Sequence, residues 1–143
     1  MTAILTYMQW LSREVPTGQS VTGRGFLGIA TRRRAGAARG TVLYGEHCAS
    51  CHGKSGAGRG AIGSADFVPP LWGPNAFNIG AGMARLNNAA GFIKANMPLG
   101  VGGSLDDQAA SDIAAYVIKQ PRPDFARKHA DWPQGGKPPD ARY

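Results

Sequence analysis

The sequence contains only two cysteines, Cys48 and Cys51, so a framework of disulfides that staples a small fold is excluded. Acidic side chains are also few, nine against 16 Lys and Arg, which leaves a formal charge of +7. Long apolar runs are missing as well, and the sequence therefore predicts no membrane-spanning helix.

The basic composition raises the question of nucleic-acid binding, but the supporting features are absent. There is no zinc-finger spacing, no RNA-binding aromatic signature and no helix with a repeated basic face. The run Arg32, Arg33 and Arg34, with Arg39 beyond it, is typical of a solvated loop. The positive charge instead favours an acidic protein partner, because opposite charges speed encounter.

The length of 143 residues predicts a single small domain with extensions. Residues 1–18 are predicted to form an N-terminal helix, either the remnant of a preceding domain or a packing extension. Residues 19–36 have the composition of a basic, Gly-rich linker, and residues 37–120 form the main domain. The tail, residues 121–143, is predicted to be extended and to pack on the domain through Trp132.

Apolar residues at helical spacing predict an all-α fold. The best-defined helix is the last, which Asp106 or Asp107 can cap and whose buried face includes Ile113 and Val117. The predicted helices are residues 2–13, 37–49, 90–96 and 105–119, with a shorter one around Met83–Asn88.

The segment Cys48-Ala49-Ser50-Cys51-His52 has the pattern C-x-x-C-H, which is the signature of covalent c-type haem attachment. Two cysteines one helical turn apart match the two vinyl groups of a porphyrin. The next residue, His52, is then held beneath the iron as its proximal ligand. We expect one covalent haem c at this segment.

Three other interpretations of the segment are weaker. A zinc site needs four ligands, and His47 and His129 do not form a second pair at zinc spacing. A thioredoxin-like redox motif needs a βαβ context, which this sequence lacks. An incidental match becomes less plausible once a second iron ligand is found further along the chain.

Met97, in the segment Asn96-Met97-Pro98-Leu99-Gly100, is the candidate for that second ligand. A thioether is a soft, neutral ligand that raises the reduction potential of haem iron. Met97 follows a predicted helix and precedes a proline-fixed turn, so its side chain can project from a rigid loop. The alternative is Met83, which has no proline beside it, and the ordinary role of a methionine is to fill a core.

With these residues the sequence resembles the small bacterial class I cytochromes c. The resemblance implies an all-α class I cytochrome c fold, with short helices packed around one covalent haem. Gly40 stands where that family has a glycine that lets the first and last helices cross, and Tyr44 where it has an aromatic that meets Tyr116. The turn Pro69-Pro70-Leu71-Trp72-Gly73 resembles one whose proline carbonyl accepts a hydrogen bond from the proximal histidine. The resemblance thus implies that role for Pro69 and places Trp72 among the haem-binding residues.

A narrower resemblance links almost the whole chain to the C-terminal haem domain of the di-haem thiosulfate dehydrogenases, which couple two thiosulfates into tetrathionate. The family's catalytic haem lies in its N-terminal domain and has a cysteine ligand, whereas both cysteines here belong to the one C-x-x-C-H motif. Some relatives carry a lysine directly before the methionine, where this sequence has Asn96. The matching stretches are Tyr7–Gly18, Pro69–Asn78, Gly80–Arg85, Asn96–Gly100 and Pro121–Tyr143.

Three functions are consistent with these observations. The first is one-haem electron transfer, with His52 and Met97 as iron ligands. The second is thiosulfate dehydrogenase activity, with this chain as the electron-accepting half beside a catalytic haem domain or subunit. The third is a haem-based ligand sensor, which Met97 opposes. The haem favours a bacterial periplasmic location, although the first 16 residues are not a convincing signal peptide.

Overall fold

A computed structural model describes residues 2–19, 21 and 26–143 of the chain. The described residues contain no β-strand, only an isolated antiparallel bridge between Arg59 and Val68, so the prediction of an all-α fold is confirmed. Short 3₁₀ turns occur at Gly82–Ala84 and Lys128–Ala130. The helices are α1 (Thr2–Leu11), α2 (Ala37–His47), α3 (Ala49–His52), α4 (Leu86–Asn96) and α5 (Asp107–Lys119).

Helix α4 differs from its prediction, because one helix replaces the two short ones expected at Met83–Asn88 and 90–96. Apart from Leu86, its first half has no large apolar residue, and small residues allow close packing: Ala89 and Ala90 are buried beside Ala114 of α5. The helix has no side-chain cap of its own. Its start is capped from the tail, where Asp140 accepts a hydrogen bond of 3.0 Å from the Asn87 N–H.

The core lies where α2 and α5 cross. Tyr44 of α2 is 2% exposed and packs with Leu105, Ile113 and Val117 in one buried cluster. Helix α5 begins as predicted, because the Asp106 side chain accepts a hydrogen bond of 2.6 Å from the Ala109 N–H. The crossing of α2 and α5 therefore forms the platform from which the C-x-x-C-H segment extends.

Part of the predicted linker is bound to α5. The backbone N–H groups of Ala30 and Arg33 donate to the side chains of Asp107 (2.9 Å) and Gln108 (3.2 Å). Earlier in the linker, the Phe26 ring meets Phe92 of α4 edge-on, with the ring centroids 6.4 Å apart. The linker therefore runs across α4 and α5, although the side chains of Arg32, Arg33 and Arg34 remain exposed as expected of a solvated basic run.

Asp112 is the buried carboxylate beneath this linker, with 1% of its surface exposed. It accepts hydrogen bonds from the Gly36 N–H (2.7 Å), from Arg39 Nε (2.7 Å) and from Gln108 Nε2 (3.1 Å). Burial by itself would raise the pKa of Asp112, but these hydrogen bonds and the Arg39 charge outweigh it and hold the pKa below its usual value. Arg39 thus forms a structural ion pair with Asp112 and is not part of the solvated basic run formed by Arg32, Arg33 and Arg34.

The tail folds back along the domain. The Pro121 and Pro123 carbonyls accept hydrogen bonds from the N–H groups of Gly73 (2.8 Å) and Ile79 (3.0 Å). Arg122 donates to the Val117 carbonyl at the end of α5, and burial lowers its pKa to about 10, with a smaller contribution from the Arg142 charge. Further along, Trp132 packs against Tyr143, with ring centroids 5.4 Å apart.

Helix α1 contains no buried residue, and its large apolar side chains, among them Leu5, Met8 and Trp10, are well exposed. Across the described part of the chain, none of the helices has both the length and the apolar character needed to cross a membrane.

Candidate haem site

The two cysteines lie on a single helical turn: Cys48 joins α2 to α3, and Cys51 lies within α3. The Cys48 N–H donates to the Tyr44 carbonyl (2.9 Å), which closes α2. The Cys48 carbonyl then accepts from the N–H groups of Cys51 (3.2 Å) and His52 (2.9 Å). Cys48 is half-buried, Cys51 is exposed, and neither forms a disulfide. Burial, assisted by the charge of Cys51, raises the pKa of the Cys48 thiol to about 11.

The imidazole of His52 is oriented by the turn that follows. Its Nδ1 lies 3.1 Å from the carbonyl oxygen of Pro69. When Nδ1 carries the proton and donates to this carbonyl, the lone pair of Nε2 is left available for a metal ion. His52 and Pro69 are 17 residues apart in sequence. The contact between them therefore depends on the conformation of the loop that connects them.

Glycines hold that loop against α3. Gly53 ends α3 with a φ of +76°, and its carbonyl accepts a hydrogen bond of 2.7 Å from the buried Tyr44 hydroxyl. Gly56, with a φ of +63°, lies so close to Trp72 that a β-carbon there would be 2.4 Å from the indole ring. The Gly56 carbonyl also accepts from the Leu71 N–H (2.7 Å), which fastens the Pro69–Gly73 turn onto the C-x-x-C-H segment.

Three aromatic rings form an apolar wall beside the motif. The ring centroid of Tyr44 lies 5.1 Å from that of Trp72 and 5.3 Å from that of Tyr116. Trp72 and Tyr116 meet edge-on at 5.6 Å. Burial, and to a lesser degree the charge of Cys48, raises the pKa of the Tyr44 hydroxyl, so this side chain stays neutral.

The two candidate methionines lie at opposite ends of α4. Met83 is in the 3₁₀ turn before it, and Met97 follows its last residue with its N–H bonded to the Ile93 carbonyl (2.9 Å). Both are partly exposed. Leu99 and Val101, which follow Met97, are 87% and 57% exposed, and such apolar side chains suit contact with an apolar body.

These residues fit a c-type haem. Two free thiols stand one turn apart, the imidazole beside them has one nitrogen oriented and one available, and an aromatic wall lies next to the motif. The thiols can form thioethers, and the imidazole can bind iron in the tautomer that the Pro69 carbonyl selects.

Comparison with known proteins gives the same assignment. The family model described as cytochrome C oxidase, cbb3-type, subunit III, matches residues 35–117. Thiosulfate dehydrogenases from Psychrobacter arcticus and Allochromatium vinosum are each 44% identical, over 99% and 90% of this chain. The alignments cover 43% and 47% of those proteins, so the chain spans less than half the length of the curated relatives it matches. A solved thiosulfate dehydrogenase from Marichromatium purpuratum is 39% identical, with a TM-score of 0.75, over 99% of this chain and 31% of that one.

The helical fold and the haem-attachment turn together define a c-type cytochrome, whose chemistry is electron transfer through one covalently attached haem. Within that class, the chain belongs to the cytochrome family described as cytochrome C oxidase, cbb3-type, subunit III.

Two charged residues that the sequence does not mark as important, Asp112 and Lys94, anchor this structure. Asp112 lies on the apolar face of α5, between Ala109 and Ile113. A carboxylate on such a face indicates that a hydrogen-bonding or charged partner is buried beside it. The side-chain contacts of Lys94, to Leu105 and Asp107, depend on a loop that no periodicity predicts.

Proposed function

We propose that the domain transfers single electrons through a haem iron ligated by His52 and Met97. The observation that carries this proposal is the contact of 3.1 Å between His52 Nδ1 and the Pro69 carbonyl, which orients the ring for metal binding through Nε2. The haem, when bound, supplies a one-electron couple. The residues of the chain hold it, set its ligands and limit the access of water.

Each of these residues has a distinct task. Cys48 and Cys51 provide two covalent attachments on one rigid turn, and the Pro69 carbonyl increases the basicity of the His52 ring. Tyr44 and Trp72 provide an apolar wall, which lowers the local dielectric and so favours the less charged, reduced state.

Met97 is supported by the position of its neighbours. The Asn96 side chain donates to the Phe92 carbonyl (3.0 Å), so it is turned back along α4. The Lys94 ammonium donates to the Leu105 carbonyl (2.5 Å) and is therefore held by a different group. Met97 is thus the residue at this end of α4 that is suited by its chemistry and its surroundings to bind iron.

The test is the weak near-infrared band of sulfur-to-iron charge transfer in the oxidised protein. We expect the band in the unmodified protein and in Met83→Ala, and its loss in Met97→Ala, where small ligands should then bind the iron. A band that survives in Met97→Ala and disappears in Met83→Ala would reverse the assignment of the second ligand.

The relatives favour a particular setting for this electron transfer. We propose that the domain accepts electrons from a catalytic haem domain or subunit that oxidises thiosulfate to tetrathionate, and passes them to an acidic redox protein in the periplasm. The named relatives are thiosulfate dehydrogenases, while this chain covers less than half of their length. The formal charge of +7 and the exposed run Arg32, Arg33 and Arg34 support an acidic acceptor. When the holoprotein is mixed with the catalytic haem domain of such a relative, thiosulfate should reduce the haem of this chain.

A further inference from the structure

Lys94 connects the two ends of the loop that presents Met97, residues 97–104, which we call the Met97 loop. Its ammonium donates to the carbonyl of Leu105, directly after the loop, at 2.5 Å. The same ammonium lies 3.6 Å from the Asp107 carboxylate, in the first turn of α5. One side chain of α4 therefore holds the residue that follows the loop and the start of the next helix.

The backbone of Lys94 holds the loop as well. Its carbonyl accepts a hydrogen bond of 2.8 Å from the Gly103 N–H. Beside it, Gly102 lies so close to α4 that a β-carbon at that position would be 2.3 Å from the Ala95 carbonyl. The far end of the Met97 loop is thus folded onto the last turn of α4: the Lys94 main chain bonds Gly103 within the loop, and its side chain bonds Leu105 just beyond it.

The surroundings favour a lasting contact. The Lys94 side chain is only 25% exposed, and Leu105 is part of the buried core. Asp107 is itself held in place, because its other carboxylate oxygen accepts the Ala30 N–H of the linker. A hydrogen bond from a charged donor that is partly shielded from water is stronger than a neutral one.

We propose that Lys94 is a positioning residue that keeps the Met97 loop closed, and so keeps Met97 on the iron. The inference rests on the proposed ligation by His52 and Met97. The bond from Lys94 to the Leu105 carbonyl ties the residue after the loop to α4, and its loss removes one of the contacts that hold the far end of the loop closed. Lys94 thereby controls how often the iron becomes accessible to other ligands.

Imidazole binding to the oxidised holoprotein measures this opening. At high imidazole concentration the rate of Met97 displacement becomes limited by loop opening, and the loss of the near-infrared band reports it. We expect Lys94→Met to raise this limiting rate about tenfold or more, as for the loss of a hydrogen bond from a charged donor. Lys94→Gln, which keeps a donor without the charge, should show a smaller increase, and Lys94→Arg should restore most of the original rate.

Lys128→Met is the matched control. Lys128 is 28% exposed and contacts Asp124 at 2.6 Å, so it is a lysine of similar exposure in a comparable ion pair, but in the tail. Lys128→Met should leave the limiting rate of Met97 displacement unchanged. The unfolding midpoints of all variants show whether a change in this rate comes from the loop alone or from a loss of overall stability. If the band is present and the limiting rates of Lys94→Met and Lys94→Gln both stay within twofold of the original, the positioning role is overturned. Absence of the band from the unmodified protein would instead overturn the ligation, and the inference with it.

Discussion

The backbone of Gly40 lies directly against the carbonyl of Asp112: a β-carbon at position 40 would be 1.9 Å from that oxygen and 2.8 Å from the β-carbon of Tyr116. Helices α2 and α5 therefore cross at a distance that only glycine permits at this position. The same crossing sets the position of Tyr44, one turn further along α2, and hence the position of the haem-attachment turn.

Substitution of Gly40 by alanine should therefore force the two helices apart. We expect Gly40→Ala to lower the free energy of unfolding of the holoprotein by about 2–3 kcal/mol, as for overpacking of a tight core. Gly45→Ala in the same helix is the control, because a β-carbon there meets nothing within 4 Å. Gly45→Ala should leave the free energy of unfolding unchanged or raise it by roughly 0.5–1 kcal/mol. Equal thermal midpoints for the two variants would contradict the close crossing.

The buried carboxylate of Asp112 should make stability depend on pH. Burial opposes its ionisation, but the hydrogen bonds from Arg39, Gly36 and Gln108 prevail, so its pKa in the folded protein is below the usual value of about 3.9. A depressed pKa contributes stability that is fully present above the unfolded pKa and is lost as the pH falls through the folded pKa. Asp112→Asn should therefore lower the free energy of unfolding by about 2 kcal/mol at pH 7, and the difference from the unmodified protein should shrink below about pH 4.

Denaturant unfolding between pH 3 and pH 8 measures this difference. Asp124→Asn is the matched control, since Asp124 also pairs with a basic residue but is 62% exposed. Its effect at neutral pH should be much smaller, because exposed ion pairs contribute little. A difference for Asp112→Asn that stays constant down to pH 3 would be evidence against the ion pair.

The two cysteines should contribute one covalent bond each. We expect Cys51→Ser to retain haem through Cys48, with a mass one haem above that of the polypeptide, while the α-band of the reduced protein shifts because one vinyl group remains. Ser50→Ala, between the cysteines, should leave the mass added by the haem and the position of the α-band unchanged. Two bonds in Cys51→Ser, detected by digestion and mass spectrometry, would refute the role of Cys51.

Thiosulfate alone should reduce the haem slowly or not at all. Joining two thiosulfates into tetrathionate releases two electrons and needs a place to hold a sulfur intermediate. The proposed iron ligands, His52 and Met97, leave no open position, and the sequence has no cysteine beyond the two used for attachment. Stopped-flow mixing tests this directly, and rapid reduction with tetrathionate formed over many turnovers would make this single haem catalytic.

Electron exchange with an acidic redox protein should be fast and should slow as the ionic strength rises. The exposed run Arg32, Arg33 and Arg34 belongs to a chain of net charge +7, and salt screens the attraction between exposed charges. Replacing these three arginines by glutamine should reduce both the rate and its salt dependence. A rate independent of salt would show that charge does not guide docking.

The features that the sequence predicts well depend on local patterns. The C-x-x-C-H motif lies on one turn because five adjacent residues determine it, and Asp106 caps α5 because a cap acts within the first turn. Tyr44 meets Tyr116, and His52 Nδ1 faces the Pro69 carbonyl, in the arrangement that the resemblance to class I cytochromes c implied.

The features that the sequence does not predict depend on distant partners. Helix α4 is longer than expected, and its middle is held by the close packing of Ala89 and Ala90 against Ala114 of α5. The linker has a loop composition, yet its backbone is bound by α5 side chains more than 70 residues away. Such contacts arise from the tertiary fold and leave no periodic signal in the sequence.

The cap that Asp140 places on α4 bears on how the domain can be shortened. The family match stops at residue 117, which makes a fragment ending near residue 120 the natural choice for expression. Such a fragment would lose the group that binds the Asn87 N–H, and also Arg122, which binds the Val117 carbonyl. Truncation would thus expose the start of the helix that leads to Met97 and the end of the helix that packs on Tyr44. Residues 121–143 therefore belong in any shortened form of the domain that is meant to keep both helix ends capped.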